Sequence, residues 1–233
     1  MSRDGQQGCY HHHHDKMCVS LVPIFNHLEV EQMSEIMKVV QSVSYKKGEI
    51  LYHAGDHSDS LYIVSKGKIR IYRLSESGKE QLVRILNPGD FTGELALFQE
   101  ALHESYAEAM TETQVCMINR TDLQELLLKY PTISLKILTE FSNRLDEAEK
   151  QTTRFATEKV DTRIALFLAE TLEANAGANE LELPMSKKDL ASYLGTTPET
   201  ISRKLTEFEQ QGLIKQKPHR RIEILDLDGL LFI

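Results

Sequence analysis

From Lys46 the chain alternates apolar and polar residues in short runs, each closed by a glycine at or near position 48, 55, 67, 78, 89 or 93. Period-two alternation bounded by turn residues predicts strands. The candidates are Glu49–Tyr52, Leu61–Val64, Lys68–Leu74, Glu80–Leu86, Tyr106–Met110 and Gln114–Ile118, separated by AGDHSDS, SKG, SESGKE and NPGD. Strands this short and evenly spaced suggest a sandwich or barrel. Ahead of them, Val30–Val40 has the period of an amphipathic helix.

Beyond Pro131 the period changes. A long helix is expected from about Thr132 to about Thr157, with Leu138, Phe141, Leu145, Ala148, Thr152 and Phe155 in a 3-4-3-4-3 spacing. A helix packed on its own domain also carries a stripe. Here Asn143, Arg144, Asp146, Glu147, Glu149 and Lys150 leave it narrow, as in a two-helix seam, so a homodimer is expected. A further helix, Val160–Leu172, opens the last domain, and ANAGANE is its loop.

The stretch Ser186–Arg221 carries the densest set of signals. Ser186 and Asp189 make a capping box for a helix ending near Tyr193, and Gly195 supplies the turn. Thr197 is the next N-cap and Pro198 sits at the first helical position. Ile201, Leu205 and Phe208 form the buried stripe, which leaves Glu199, Ser202, Arg203 and Thr206 outward. LIKQK-PHRR-IEIL then reads as two strands and a turn, a wing. Two helices about a glycine turn make a helix-turn-helix, whose second helix fits a major groove. An ordinary helical pair with a solvated face is the competing reading.

Charge favours the DNA reading. The stretch holds eight Lys/Arg against four acids, a net +4 in a chain of −8, and such an island is a footprint for phosphate. Glu199, Ser202 and Arg203 are the expected base readers. Lys187, Lys188, Thr197 and Arg220 are expected to contact DNA around them.

At 233 residues, 41% hydrophobic and 27% charged, the composition is that of a globular protein of about two domains. No apolar run approaches the roughly twenty residues of a membrane span. Met1–Tyr10 is polar, unlike a secretion signal, so the cytoplasm is the expected location. Three cysteines argue against a disulfide framework. Cys9, His11, His12, His13, His14, Asp15 and Cys18 crowd ten positions as a candidate ligand cluster, with a tag remnant or a polar tail as the alternatives. No P-loop, nucleophile elbow or HExxH accompanies them, so no enzyme is expected.

The order KKGEILYHAGDHSDSLYIVSKGKIRIY…GKEQLVRILNPGDFTGELALF resembles the cyclic-nucleotide-binding β-roll. Followed by a long helix and a winged helix-turn-helix, it resembles the CRP/FNR family of bacterial regulators over Cys9–Ile233. The resemblance implies an α+β protein in four parts: a Cys/His-rich arm (1–18), a sensory β-roll (19–130), a dimerisation helix (131–158) and a winged helix-turn-helix (159–233). It also implies double-stranded DNA with an inverted repeat, and RNA polymerase, as partners.

Members of the family that bind cyclic AMP carry Gly-Glu and then Arg-Ser, ten residues beyond the Glu. Here Gly93 and Glu94 are followed by Glu104 and Ser105, a carboxylate where phosphate needs a guanidinium. The resemblance therefore points away from cyclic AMP. The FNR branch holds a [4Fe–4S] cluster with Cys-x2-Cys-x5-Cys and one distant cysteine. This chain has Cys9-x2-His12-x5-Cys18 and Cys116, with His11, His13 or His14 as alternatives to His12. Cys3His is equally a zinc set. A reversible disulfide from Cys9 or Cys18 to Cys116, or an organic ligand in the β-roll, also remains open. Glu199-x-x-Ser202-Arg203 resembles the reader of TTGAT-type half-sites, with Pro198 replacing the usual aliphatic residue.

Overall fold

The computed structural model describes residues 22–94, 98–174 and 179–233. The chain divides into two compact units. One is made of residues up to Arg73 together with Arg84–Ser142, and the other of Leu74–Val83 together with Asn143–Ile233.

Among the described residues the first helix of the first unit is α1 (Val30–Val39), where the Glu29 backbone N–H donates to Gln32 Oε1 at 2.9 Å in a capping box. The strands follow: β1 (Gln41–Tyr45), β2 (Ile50–Tyr52), β3 (His57–Ser58), β4 (Ser60–Lys66), β5 (Ile69–Leu74), β6 (Glu80–Leu86), β7 (Phe91–Thr92), β8 (Ala101–Leu102), β9 (Tyr106–Ala109) and β10 (Thr113–Asn119). They form two four-stranded sheets, β1-β10-β4-β7 and β2-β9-β5-β6, with the pair β3-β8 beside them.

All six expected strands are present within a few residues. β1, β3, β7 and β8 are additional to the six. β3, β7 and β8 have only two residues each, too few to show alternation. β1 reads QSVSY, polar enough to pass for a loop, and it is a strand because it pairs in register with β10 from Gln41↔Met117 to Tyr45↔Thr113.

One core gathers Val22, Ile24, Phe25 and Ile36 with Leu61, Ile63, Cys116 and Ile118 from the sheet. It continues into α2 (Arg120–Lys129) through Leu123 and Leu126, and into α3 (Pro131–Thr157) through Ile133 and Ile137. Each fully buried Leu, Ile or Phe there contributes about 1.5–3 kcal/mol. Asn119 caps α2 by accepting from the Asp122 N–H at 2.9 Å. Pro131 opens α3, where its missing donor costs nothing. Only Ile133 and Ile137 of α3 are buried.

The second unit contains α4 (Val160–Ala174), β11 (Glu180–Glu182), α5 (Lys187–Tyr193), α6 (Pro198–Gln210), β12 (Ile214–Lys217), β13 (Arg221–Ile224) and α7 (Leu227–Leu231). β11 converts the expected two-stranded wing into the sheet β11-β13-β12. Its inward residue, Leu181, is buried between exposed or half-buried glutamates. The hairpin tip Leu74–Val83 belongs to this unit. The Ser192 hydroxyl accepts from the Leu82 N–H at 2.7 Å and donates to the Glu80 carbonyl at 2.8 Å, which satisfies backbone groups of the edge strand β6. No helix among the described residues is long and apolar enough to cross a membrane.

Candidate nucleic-acid interface

The two-helix motif forms as its caps dictate. Ser186 Oγ accepts from the Asp189 N–H at 3.1 Å, and its hydroxyl donates to Asp189 Oδ2 at 2.6 Å. Gly195 takes φ +66° in the turn. Thr197 Oγ1 accepts from the Thr200 N–H at 3.2 Å, with Pro198 at the first helical position. Ile201, Leu205 and Phe208 are all buried, which fixes the rotation of α6 about its axis. Glu199, Arg203 and Thr206 are therefore exposed and Ser202 half-buried. Glu199 and Arg203 lie one turn apart on the same face.

The Glu199 carboxyl is held below its ordinary range, first by its own backbone N–H and then by the Thr197 hydroxyl. It is thus an anion at the helix N-terminus, ready to accept a hydrogen bond. Arg203 approaches Glu207 only at 3.8 Å. Thr197 acts as a cap, and Lys187 Nζ donates to Gln216 Oε1 at 3.3 Å. Lys188 is exposed.

Acids outside the basic stretch reduce its charge. Lys217 pairs with Glu180 at 2.6 Å and Glu223 at 3.0 Å, and Arg221 with Glu180 at 3.5 Å. Lys204 lies between Glu207 at 2.7 Å and Asp161 at 3.5 Å, and its ammonium is held above its ordinary range chiefly by Glu207. Arg220 reaches Glu182 only at 3.7 Å. The exposed basic side chains that remain without a close acidic partner among the described residues are Lys188, Arg203, Lys215 and Arg220. The linear count of +4 missed Asp161, Glu180, Glu182 and Glu223 because folding, not sequence proximity, brings them to the basic side chains.

On α3, Leu138 and Leu145 are 58% and 61% exposed, with Ala148 and Thr152 also exposed beside them. Phe141 instead packs partly into the first core and meets Phe98 edge-on at 5.8 Å. Phe155 lies under the Arg163 guanidinium at 5.2 Å and against Gly195.

Inside the β-roll, Gly93 adopts φ +84°, and a Cβ there would stand 2.2 Å from the Ser60 carbonyl oxygen. Glu94 Oε1 accepts from Arg84 at 2.9 Å, while Glu104 pairs with Arg73 on the surface. Tyr52 stacks on His103 at 3.6 Å and bonds to Thr92 Oγ1 at 2.9 Å. Burial lowers the His103 pKa and pushes the Tyr62 phenol up to about 12. His103 Nε2 and Ser58 Oγ are buried without a hydrogen-bond partner among the described residues. None of His103, Ser58 and Arg84 was singled out from the sequence, where nothing marks them.

Cys116 is 2% exposed in β10. Cys9, His12 and Cys18, like His11, His13 and His14, lie outside the described residues.

A β-roll, a long helix and a winged helix-turn-helix together define a DNA-binding transcription regulator. Residues 42–130 match the family described as cyclic nucleotide-binding domain, and residues 162–233 the Crp-like helix-turn-helix domain. The chain is 36% identical to the probable transcriptional regulator Flp of Lacticaseibacillus casei, over 91% of this chain and 96% of that one. It is 32% identical to the anaerobic regulatory protein of Haemophilus influenzae, over 96% and 88%. Among solved structures, FixK2 from Bradyrhizobium japonicum aligns with a TM-score of 0.72 at 29% identity, over 82% of this chain and 96% of that one. The chain belongs to the CRP/FNR family of transcriptional regulators.

Proposed function

We propose that the protein is a homodimeric regulator that reads an inverted repeat of TTGAT-like half-sites through Glu199, Ser202 and Arg203. Its DNA affinity follows oxygen or redox state through Cys9, His12, Cys18 and Cys116, and RNA polymerase is its partner at the promoter. The exposed Leu138 and Leu145 on α3 support the dimer, since burying two such side chains against a second copy removes an apolar stripe from water.

The observation that carries the sensing role is the membership of one core. Cys116, the segment Val22–Phe25 and Ile133 and Ile137 of α3 all pack together. Cys18 is four residues from Val22, a span of at most about 14 Å. The sulfur of Cys116 is thus sheltered, in the same core as the residues that follow the arm and as the helix that bears the seam. These residues suit a cluster: three thiolates and an imidazole are soft or borderline donors. A [4Fe–4S] cluster, when bound, supplies an oxygen-labile link between arm and strand. Cys116 would hold one end of that link on a rigid strand, and Cys9, His12 and Cys18 the other. Changes in the packing around Ile133 and Ile137 then bias helix pairing.

Anaerobically isolated protein is expected to be brown, and to lose both colour and affinity for a TTGAT-like inverted repeat on aeration. A colourless protein holding zinc, or one that loses two titratable thiols on oxidation, would replace the cluster with zinc or with a disulfide at the same residues. A Cys116→Ser variant that still responds to air, chelator and dithiothreitol as the parent does would refute the sensing role and leave DNA reading intact.

The unpartnered His103 Nε2 and Ser58 Oγ favour a second reading, in which a small organic ligand other than cyclic AMP enters the β-roll. On that reading His103→Phe abolishes the effector response, whereas Cys116→Ser does not.

A further inference from the structure

The wing turn places a residue at its apex that resists the turn's shape. Among the described residues, φ is positive at eight glycines and at two other positions, the neighbours His219 (59°) and Arg220 (61°). Lys217 pairs with Arg221 across the hairpin, and the Arg221 N–H donates to the Pro218 carbonyl at 3.4 Å. His219 and Arg220 are therefore the central residues of a turn with both φ values positive. Hairpins normally build that turn from Gly, Asn or Asp; His tolerates the left-handed region better than most side chains, so the strain falls chiefly on Arg220.

Nothing in the fold explains the side chains. The Arg220 carbonyl accepts from the Leu183 N–H at 2.9 Å, a bond that glycine would make equally well. Both side chains are exposed, and among the described residues Arg220 has a single ion pair, with Glu182 at 3.7 Å. At the base of the hairpin Lys217 and Arg221 are held by Glu180 and Glu223, whereas at the apex Arg220 has only the longer approach to Glu182. Strain kept at an exposed apex is a sign of a ligand outside the chain.

We propose that His219 and Arg220 enter the minor groove beside the major-groove site of α6 and select A·T-rich flanks by groove width. This inference rests on the DNA-reading role above. Contact with phosphate alone does not require such a turn, because Lys188 and Lys215 are exposed on ordinary backbone. A sharp apex carrying two side chains suits a slot about 6 Å wide. Narrow A·T tracts also concentrate negative potential that attracts Arg and His.

The test uses the full chain and duplexes that share one TTGAT-like inverted repeat but carry A·T or G·C flanks. The parent should prefer A·T flanks by about tenfold, the worth of one good groove contact. The His219→Gly/Arg220→Gly double variant should bind both flanks equally, at or below the parent's G·C level, so that the loss is about tenfold larger on A·T flanks, with a raised thermal midpoint from the relieved strain. Equal weakening on both flanks would reduce the apex to a phosphate contact and overturn the inference, as would an unchanged preference or a lowered midpoint. A parent that prefers the repeat over random duplex but ignores the flanks would sink this inference alone. A parent that fails to distinguish the repeat from random duplex would sink the DNA-reading role itself.

Discussion

The ring of Phe155 lies against Gly195, with Cε1 3.1 Å from the place a Cβ would occupy. The last turns of the long helix thus touch the turn between the two helices of the DNA-binding motif, within one compact unit. Gly195 also has φ +66°, so alanine there is strained by its backbone and crowded by the ring. Gly195→Ala should destabilise the second unit by about 1–2 kcal/mol, read as an earlier denaturant midpoint at unchanged slope. An unchanged midpoint would show that the turn accommodates a Cβ freely.

Arg203 stands exposed on α6 with only a loose approach to Glu207 at 3.8 Å. Its guanidinium is free to address guanine O6 and N7. Arg203→Ala should cost about 1–3 kcal/mol of operator affinity and relax preference at one base pair. Competition binding against single-base operator variants measures both, and an unaltered base preference would remove Arg203 from the reading set.

Leu145 is 61% exposed on the helix face assigned to dimerisation. Leu145→Asp would bring two carboxylates together at a two-fold axis, where each copy meets itself. Sedimentation should show a monomer, and binding to an inverted repeat should fall to that of a single half-site. A dimer of undiminished stability would move the interface elsewhere.

The carboxylate of Glu94 is already occupied by Arg84 at 2.9 Å, and Glu104, at the position where the resemblance to cyclic-AMP-binding members calls for an arginine, pairs with Arg73. A cyclic nucleotide would have to break the first ion pair and place its phosphate beside a like charge. Calorimetry with cyclic AMP should give no heat of binding at micromolar protein, and Glu104→Arg is the control expected to recover some. Micromolar binding by the parent, with a rise in DNA affinity, would refute this.

The sequence alone determined whatever depends on local chemistry. Ser186, Gly195, Thr197, Pro198 and Gly212 set the ends of α5 and α6 because caps and positive-φ positions act over three or four residues. Ile201, Leu205 and Phe208 fixed the exposed face of α6 by helical period, and α3 begins and ends within a residue of its expected bounds. The tertiary structure decided what depends on partners distant in the chain. β1 and β11 are strands only because β10 and β13 offer hydrogen-bonding edges to polar segments with little strand character of their own. Glu180, Glu182, Glu223 and Asp161 reduce the basic face from outside its stretch. Phe141 and Phe155 share one spacing with Leu138 and Leu145, yet the first turns into the core, while the second lies under Arg163 and stays 38% exposed. Periodicity reports which residues share a helix face; which of them stay exposed is settled by the packing of side chains that are far apart in sequence.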